Sequence, residues 1–476
     1  MVFSTIIFLL RFLPITLALY YLAPPKLKNT VLFLCSLVFY CWGEVRFFPV
    51  MLALILINYL CGLGLERFEQ NKTARLILLL IALAGSLGML FYFKYANFVL
   101  SSINAIFGTG FAPIQGISVL PLGISFYTFQ TLSYTIDVYR RDVETEHNII
   151  DFGAYVVMFP QLIAGPIVKY RDVSDRLHVY KGRYELKQIE DGMTLFTFGL
   201  AKKVLLADAI GALWTDIIGV ADSPSVSFVG LANASTPLVW LGVIAYSLQL
   251  YFDFSGYSLM AMGLGQMLAL PVPRNFDLPY TARSVSEFYR RWHITLGTWF
   301  RDYVYIPLGG SRNGNARTVL SLTVVWFFTG LWHGASWNFV LWGVMLLGFI
   351  LLEKFCIGNF LKEHKVLSHV YLLFVIPQTW VIFRITRLKD VGAYFSRLFP
   401  LFGAHSAISA QDVLKLLSSY WWLLLLAIFF CLPQPRRFYE KHRGSLLVQL
   451  PLFLLFWVCV YFIATSSGNA FLYSRF

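Results

Sequence analysis

The sequence predicts an all-α polytopic membrane protein, and three observations carry that prediction. Of its 476 residues 58% are hydrophobic and only 13% charged, far from the usage of globular chains. Apolar runs that approach the length of a ~30 Å hydrocarbon core recur from one end of the chain to the other. Within such a core a segment must satisfy its own backbone hydrogen bonds, which a helix does.

The first run, 3–22, is interrupted by Arg11 and Pro14 and lacks both a basic leader and a small-residue cleavage site, so it reads as a retained span. Further runs lie near 30–43, 47–65, 76–93, 117–136, 192–213, 237–256, 318–332, 335–352, 366–383, 416–432 and 446–464. Several are too short or too interrupted to cross alone, so about eleven true spans are expected. No internal repeat of the inverted-transporter kind is visible. Lys26 and Lys28, then Arg67, Lys72 and Arg75, then Arg140 and Arg141 make every second loop basic. That pattern puts these loops in the cytoplasm and the N-terminus outside. The loop 214–236 has no Lys or Arg and fits the outside, whereas Arg384 to Lys415 breaks the alternation. The net charge of +13 is thus orientation information, and basic residues confined to short loops argue against nucleic acid as a partner. Six cysteines form no CxxC pair, so neither a disulfide framework nor a thiolate metal site is indicated, and no metal is expected.

Two segments depart from simple spanning. Basic residues flank both ends of 149–170, and FPQLIAGP within it has a proline at each end. It reads as re-entrant, which requires burial in protein or a cavity, or as an amphipathic helix lying on the surface. The region 271–317 mixes seven arginines with Trp292, Trp299 and Tyr303, a composition usual for interfacial helices in contact with membrane lipids. Ser284 followed by Glu287 is a capping-box helix start. Arg290 and Arg291 stand beside His293, with Arg301 close behind. Arginine forks suit phosphates, so this face would receive a phosphorylated donor, or else anionic headgroups. Asp253, Lys202 and Lys203 intrude into apolar runs, where pairing is expected, with Asp208 a partner for the lysines. Lys202 and Lys203 are the next candidates for the donor phosphates.

The segment 318–343 holds the residue around which the rest is read. His333 lies between Trp332 and Gly334, in an apolar run bounded by Arg317 and Glu353. Sixteen helical steps from Arg317 cover roughly 24 Å, so the imidazole is deep, and ionisable groups at that depth are functional candidates. A histidine that only packs against a neighbouring helix is the alternative. A buried histidine behind an arginine-lined mouth suits acyl transfer from a phosphate-bearing thioester, with the histidine as general base on an acceptor hydroxyl. No GxSxG elbow and no HExxH pair supports a hydrolase or metalloprotease. The competing class is a proton-coupled transporter or lipid flippase using His333 and Asp253 as a relay.

FYFKYANF (91–98), PLGISFYTFQTLSYTIDVYR (121–140), FPQLIAGP (159–166), LYFDFSGYS (250–258), EFYRRWHITLGTWFRDYVYIPLGG (287–310) and GLWHGASWNFVLWG (330–343) together resemble the membrane-bound O-acyltransferase family. The likeness is to its bacterial branch, which includes the alginate O-acetylation membrane protein, and it spans essentially the whole chain as a single membrane domain, 1–476. The resemblance implies a funnel-shaped bundle with donor and acceptor entering from opposite faces, in the bacterial inner membrane. It implies His333 as the catalytic histidine and His293 as a second functional position nearer the donor. Acetyl-CoA is the implied donor substrate, with no permanently bound cofactor, and the acceptor is a cell-surface polysaccharide reached through a separate SGNH-type acetyltransferase. The closing FLYSRF (471–476) resembles the branch's C-terminal motif and makes Tyr473 a candidate acyl relay, or else a tail that only docks a partner.

Overall fold

The computed structural model describes residues 2–117, 119–178, 186–218, 234–400 and 411–465. These residues are helical almost throughout, and an isolated antiparallel bridge joins Phe276 and Trp292. Among the described residues seven helices are long and apolar enough to cross a membrane: Phe48–Arg67, Lys72–Phe107, Thr236–Met267, Trp337–Glu363, Lys365–Arg384, Gln411–Phe430 and Leu446–Thr465. The other apolar runs also form helices, among them Lys28–Gly43, Ile124–Arg140 and the twenty-residue Gly314–His333. The protein is multi-pass.

Three runs extend beyond their apolar cores by way of π turns. Lys72–Leu90 continues through Phe91–Tyr95 to Phe107, Leu186–Ala201 through Lys202–Ala207 to Ile218, and Trp337–Leu352 through Glu353–Ile357 to Glu363. A π turn carries an extra residue and so redirects the side chains beyond it. One run begins later than its hydropathy suggests: Ile124–Arg140 starts at Gly123, whose φ of 73° is left-handed. A Cβ there would collide with the Leu162 carbonyl.

The chain packs as two compact units. One comprises the described residues up to 198 with 257–274; the other comprises 199–256 and those from 275 onward. In the first, Asn58 donates to Ser86 Oγ at 2.9 Å and accepts from Thr135 Oγ1 at 2.7 Å, tying three helices together through a satisfied buried polar group. Gly62 lies so close to Tyr134 that an added Cβ would sit 2.6 Å from its hydroxyl, the small-residue packing expected where apolar lipid gives helices no reason to associate. The FPQLIAGP stretch belongs to this unit. Helix Ile149–Val157 stops at Met158, a short helix Phe159–Leu162 follows, and every residue from 151 to 170 is buried. A helix lying on a surface exposes one face; this stretch exposes none.

In the second unit, Gly314–His333 and Trp337–Leu352 form an antiparallel hairpin. Gly330 and Gly343 face each other in it: a Cβ on Gly343 would collide with the Trp326 carbonyl, and one on Gly330 with that of Phe339. Asn338, fully buried, donates to the carbonyls of Ile382 at 3.0 Å and Phe383 at 3.2 Å, joining the hairpin to the end of Lys365–Arg384.

Candidate active site

The site lies entirely within the second unit, and its construction begins at Ser284. The Ser284 hydroxyl accepts from Glu287 N–H at 3.0 Å and caps the helix Val285–Arg291 as expected, while the Glu287 carboxylate reaches back one residue further than the cap, to Arg283 N–H at 3.0 Å. Glu353 reaches the same helix end from a distant part of the chain. Its carboxylate accepts from Val285 N–H, from Ser286 N–H at 2.9 Å and from the Ser286 hydroxyl at 2.6 Å. A negative charge at a helix N-terminus meets both unsatisfied donors and the positive end of the dipole. Glu353 therefore fixes where this helix presents Arg290.

After Arg291 the chain turns sharply. His293 takes a left-handed backbone, φ 48°, before the helix Ile294–Phe300 begins. Asn275–Asp277 runs antiparallel to this turn: Asp277 N–H donates to Arg291 O at 2.9 Å and Ile294 N–H to Asn275 O at 3.0 Å. His293 Nδ1 lies 3.2 Å from Asn275 Oδ1, and burial pushes its imidazole down to about 3, so the ring is neutral at ordinary pH.

His333 is the last residue of Gly314–His333, where Gly334 leaves the helix in extended geometry. Three aromatic rings stand edge-on to it, with centroids at 5.0 Å (Trp332), 4.9 Å (Trp342) and 5.2 Å (Phe383). Trp332 also stands 5.7 Å from the His293 ring, so the two histidines flank one indole. Both line a single cavity of about 1020 Å³. Arg283, Arg290, Arg301, Lys354 and Lys362 line it as well, against the carboxylates of Glu287 and Glu353.

The structure thus brings together His333, His293, Arg290 and Arg301 of the residues singled out in the sequence. Arg291 does not line the cavity; its guanidinium pairs with Glu287 at 2.7 Å and donates to Thr281 Oγ1 at 3.2 Å. Lys202 and Lys203 also lie off it. Lys203 Nζ bridges Asp208 at 2.6 Å and Asp253 at 2.8 Å, and Lys202 Nζ stands over the Tyr251 ring at 5.4 Å. Asp253 pairs with Lys203 and does not line the cavity that His333 lines. Tyr473 lies outside the described residues.

Asn275, Glu353, Lys354 and Lys362 belong to the site but carried no signal in the sequence, because each reaches it through tertiary packing from outside the motif around His293. One group in the first unit has metal-ligand spacing: Glu146, Asp151 and His178 offer atoms within 4.8 Å of one another. Protein donors already engage them, with Tyr170 O–H at 2.7 Å and His178 at 2.9 Å on Glu146, and Asn29 at 2.7 Å on Asp151.

Residues 138–388 match the family described as MBOAT, membrane-bound O-acyltransferase family. The chain is 39% identical over 402 residues to the probable alginate O-acetylase of Azotobacter vinelandii, covering 84% of this chain and 78% of that one. It is 30% identical over 532 residues to a peptidoglycan O-acetyltransferase of Helicobacter pylori, covering 100% and 98%. A teichoic acid D-alanyltransferase of Streptococcus thermophilus is 28% identical over 228 residues, covering 46% and 53%.

Proposed function

We propose that this chain, which belongs to the membrane-bound O-acyltransferase family, takes an acetyl group from cytoplasmic acetyl-CoA and delivers it to the outer face of the bacterial inner membrane. It is an acyltransferase by family, and the acetyl donor is the reading its basic cavity supports best. One observation carries the proposal: a single cavity of about 1020 Å³ holds both histidines together with five basic side chains. That volume is at the upper end for small-molecule sites, and cations on its wall suit a long, phosphate-bearing donor. About eleven spans arranged as a funnel would give the acceptor its separate entrance from outside.

In the proposed reaction His333 takes the proton of an attacking hydroxyl as that oxygen adds to the thioester carbonyl. The adduct collapses, the C–S bond breaks, and the departing thiolate takes the proton back from the imidazolium. The products are an ester and free CoA thiol. We assign the hydroxyl to Tyr473, whose aryl ester is activated toward a second transfer. The acetyl group would then pass to the serine of an SGNH-type partner, and from it to a cell-surface polysaccharide. We read that polysaccharide as an alginate-like exopolysaccharide, cellulose or peptidoglycan; relatives named for alginate and for peptidoglycan support the first and the last.

The test is His333→Ala, assayed for acetyl transfer from radiolabelled acetyl-CoA in membranes that hold equal amounts of each variant. Loss of a general base lowers rate by ~10²–10⁴. Near-normal transfer by the variant would remove His333 from the role.

A further inference from the structure

We propose that Asn275 is a positioning residue: it fixes His293 as the tautomer protonated on Nδ1, so that Nε2 acts only as a hydrogen-bond acceptor within the cavity. The inference deepens the reading that His293 works in acyl transfer.

The argument runs through one oxygen. Asn275 Oδ1 lies 3.2 Å from the Thr295 backbone nitrogen and 2.9 Å from its hydroxyl. A backbone N–H can only donate, so the side-chain atom facing it is the amide oxygen rather than the nitrogen. His293 Nδ1 stands 3.2 Å from that same oxygen. Two acceptors do not bond, so Nδ1 carries the hydrogen. In a neutral imidazole the other nitrogen then holds the lone pair, and burial keeps this ring neutral.

The backbone is built to hold the arrangement. Asn275 is fully buried, and its carbonyl accepts the Ile294 N–H at 3.0 Å on the far side of the His293 turn. The left-handed φ of 48° is uncommon outside glycine, although histidine adopts it more readily than most residues. The bridge between Phe276 and Trp292 and the Asp277–Arg291 bond hold the chain there. An uncommon turn at a cavity wall, with one oxygen gathering three donors, points to a ring whose orientation matters.

The chemical consequence separates the two histidines. A ring that is neutral and protonated on Nδ1 cannot donate from Nε2, so His293 gives no hydrogen bond to a developing oxyanion. It accepts one from a substrate N–H or O–H instead.

The experiment uses the purified full chain with ring-labelled histidine and infrared difference spectra against His293→Gln, which isolate the His293 ring mode that distinguishes the two neutral tautomers. The parent is expected to show the Nδ1–H form. Asn275→Leu should convert His293 to the Nε2–H form or a mixture and lower acetyl transfer about 10- to 100-fold, by analogy with the loss of partners that orient metal-bound histidines. Asn275→Asp, which keeps an acceptor oxygen, should restore the Nδ1–H signature and most of the rate. An Nε2–H signature in the parent, or an unchanged one in Asn275→Leu, overturns the inference. Full acetyl transfer by His293→Gln would instead defeat the reading that His293 takes part, while the spectra still decide the tautomer.

Discussion

Arg290 and Arg291 are sequence neighbours that face different tasks. Arg290 lines the cavity with Arg301, while Arg291 is held by Glu287 and Thr281. A charge-assisted contact is worth roughly 1.5–3 kcal/mol. Arg290→Ala and Arg301→Ala are therefore expected to raise the apparent KM for acetyl-CoA about tenfold, whereas Arg291→Ala should leave it nearly unchanged. Steady-state kinetics on the three variants check this, and a KM rise confined to Arg291 would move the donor site. His293 has a second, measurable consequence. Its folded value near 3 is below the ordinary 6.5, so the native state refuses a proton that the unfolded chain accepts. The neutral ring's contribution is fully present above pH 6.5 and is lost as pH falls toward 3, at ~1.4 kcal/mol per pH unit. Unfolding midpoints of the purified protein should fall across that window, and His293→Gln should flatten the slope.

At the scale of elements, Lys203 shows what the sequence disclosed and what it hid. Its pairing with Asp208 was legible, since a lysine in an apolar run needs a nearby carboxylate and Asp208 is close in sequence; a π turn brings the two together. Its pairing with Asp253 was not, because that contact depends on where the helix Thr236–Met267 packs. The same division holds at the active site. The capping box at Ser284 and the helix end at His333 rest on local chemistry and could be read directly, but Asn275 and Glu353 reach their partners across 18 and 67 residues or more. Nothing in local spacing marks either. The apolar runs gave helices but misjudged their ends, because hydropathy does not register the π turns that carry a helix on into polar sequence. For the buried triad, removing one partner leaves an unpaired charge at ~3–5 kcal/mol. Lys203→Met should thus reduce folded protein in membranes sharply, and adding Asp208→Asn with Asp253→Asn should recover much of it. Equal abundance of the single variant and the parent would show the triad to be dispensable.

For the whole molecule, the proposed function requires the acetyl group to travel from one face of the membrane to the other, and Tyr473 is our proposed carrier. Tyr473→Phe keeps the ring and removes only the oxygen, so polymer acetylation should drop to background while the protein remains inserted. Intact mass of the parent, incubated with acetyl-CoA but no partner protein, should show one added acetyl group that the variant lacks; full acetylation by the variant would end the relay. The hairpin that carries His333 bears on how such a crossing works. With Gly330 and Gly343 packed backbone to backbone, its two arms are tightly joined, and the imidazole is expected to hold a fixed place on the hairpin during turnover. In the proposed reaction the base is then an anvil and not a piston. Range across the bilayer is set by how far the donor's arm and the acceptor's tail can reach toward a stationary point, and shortening either should stop turnover even where every contact around His333 is intact.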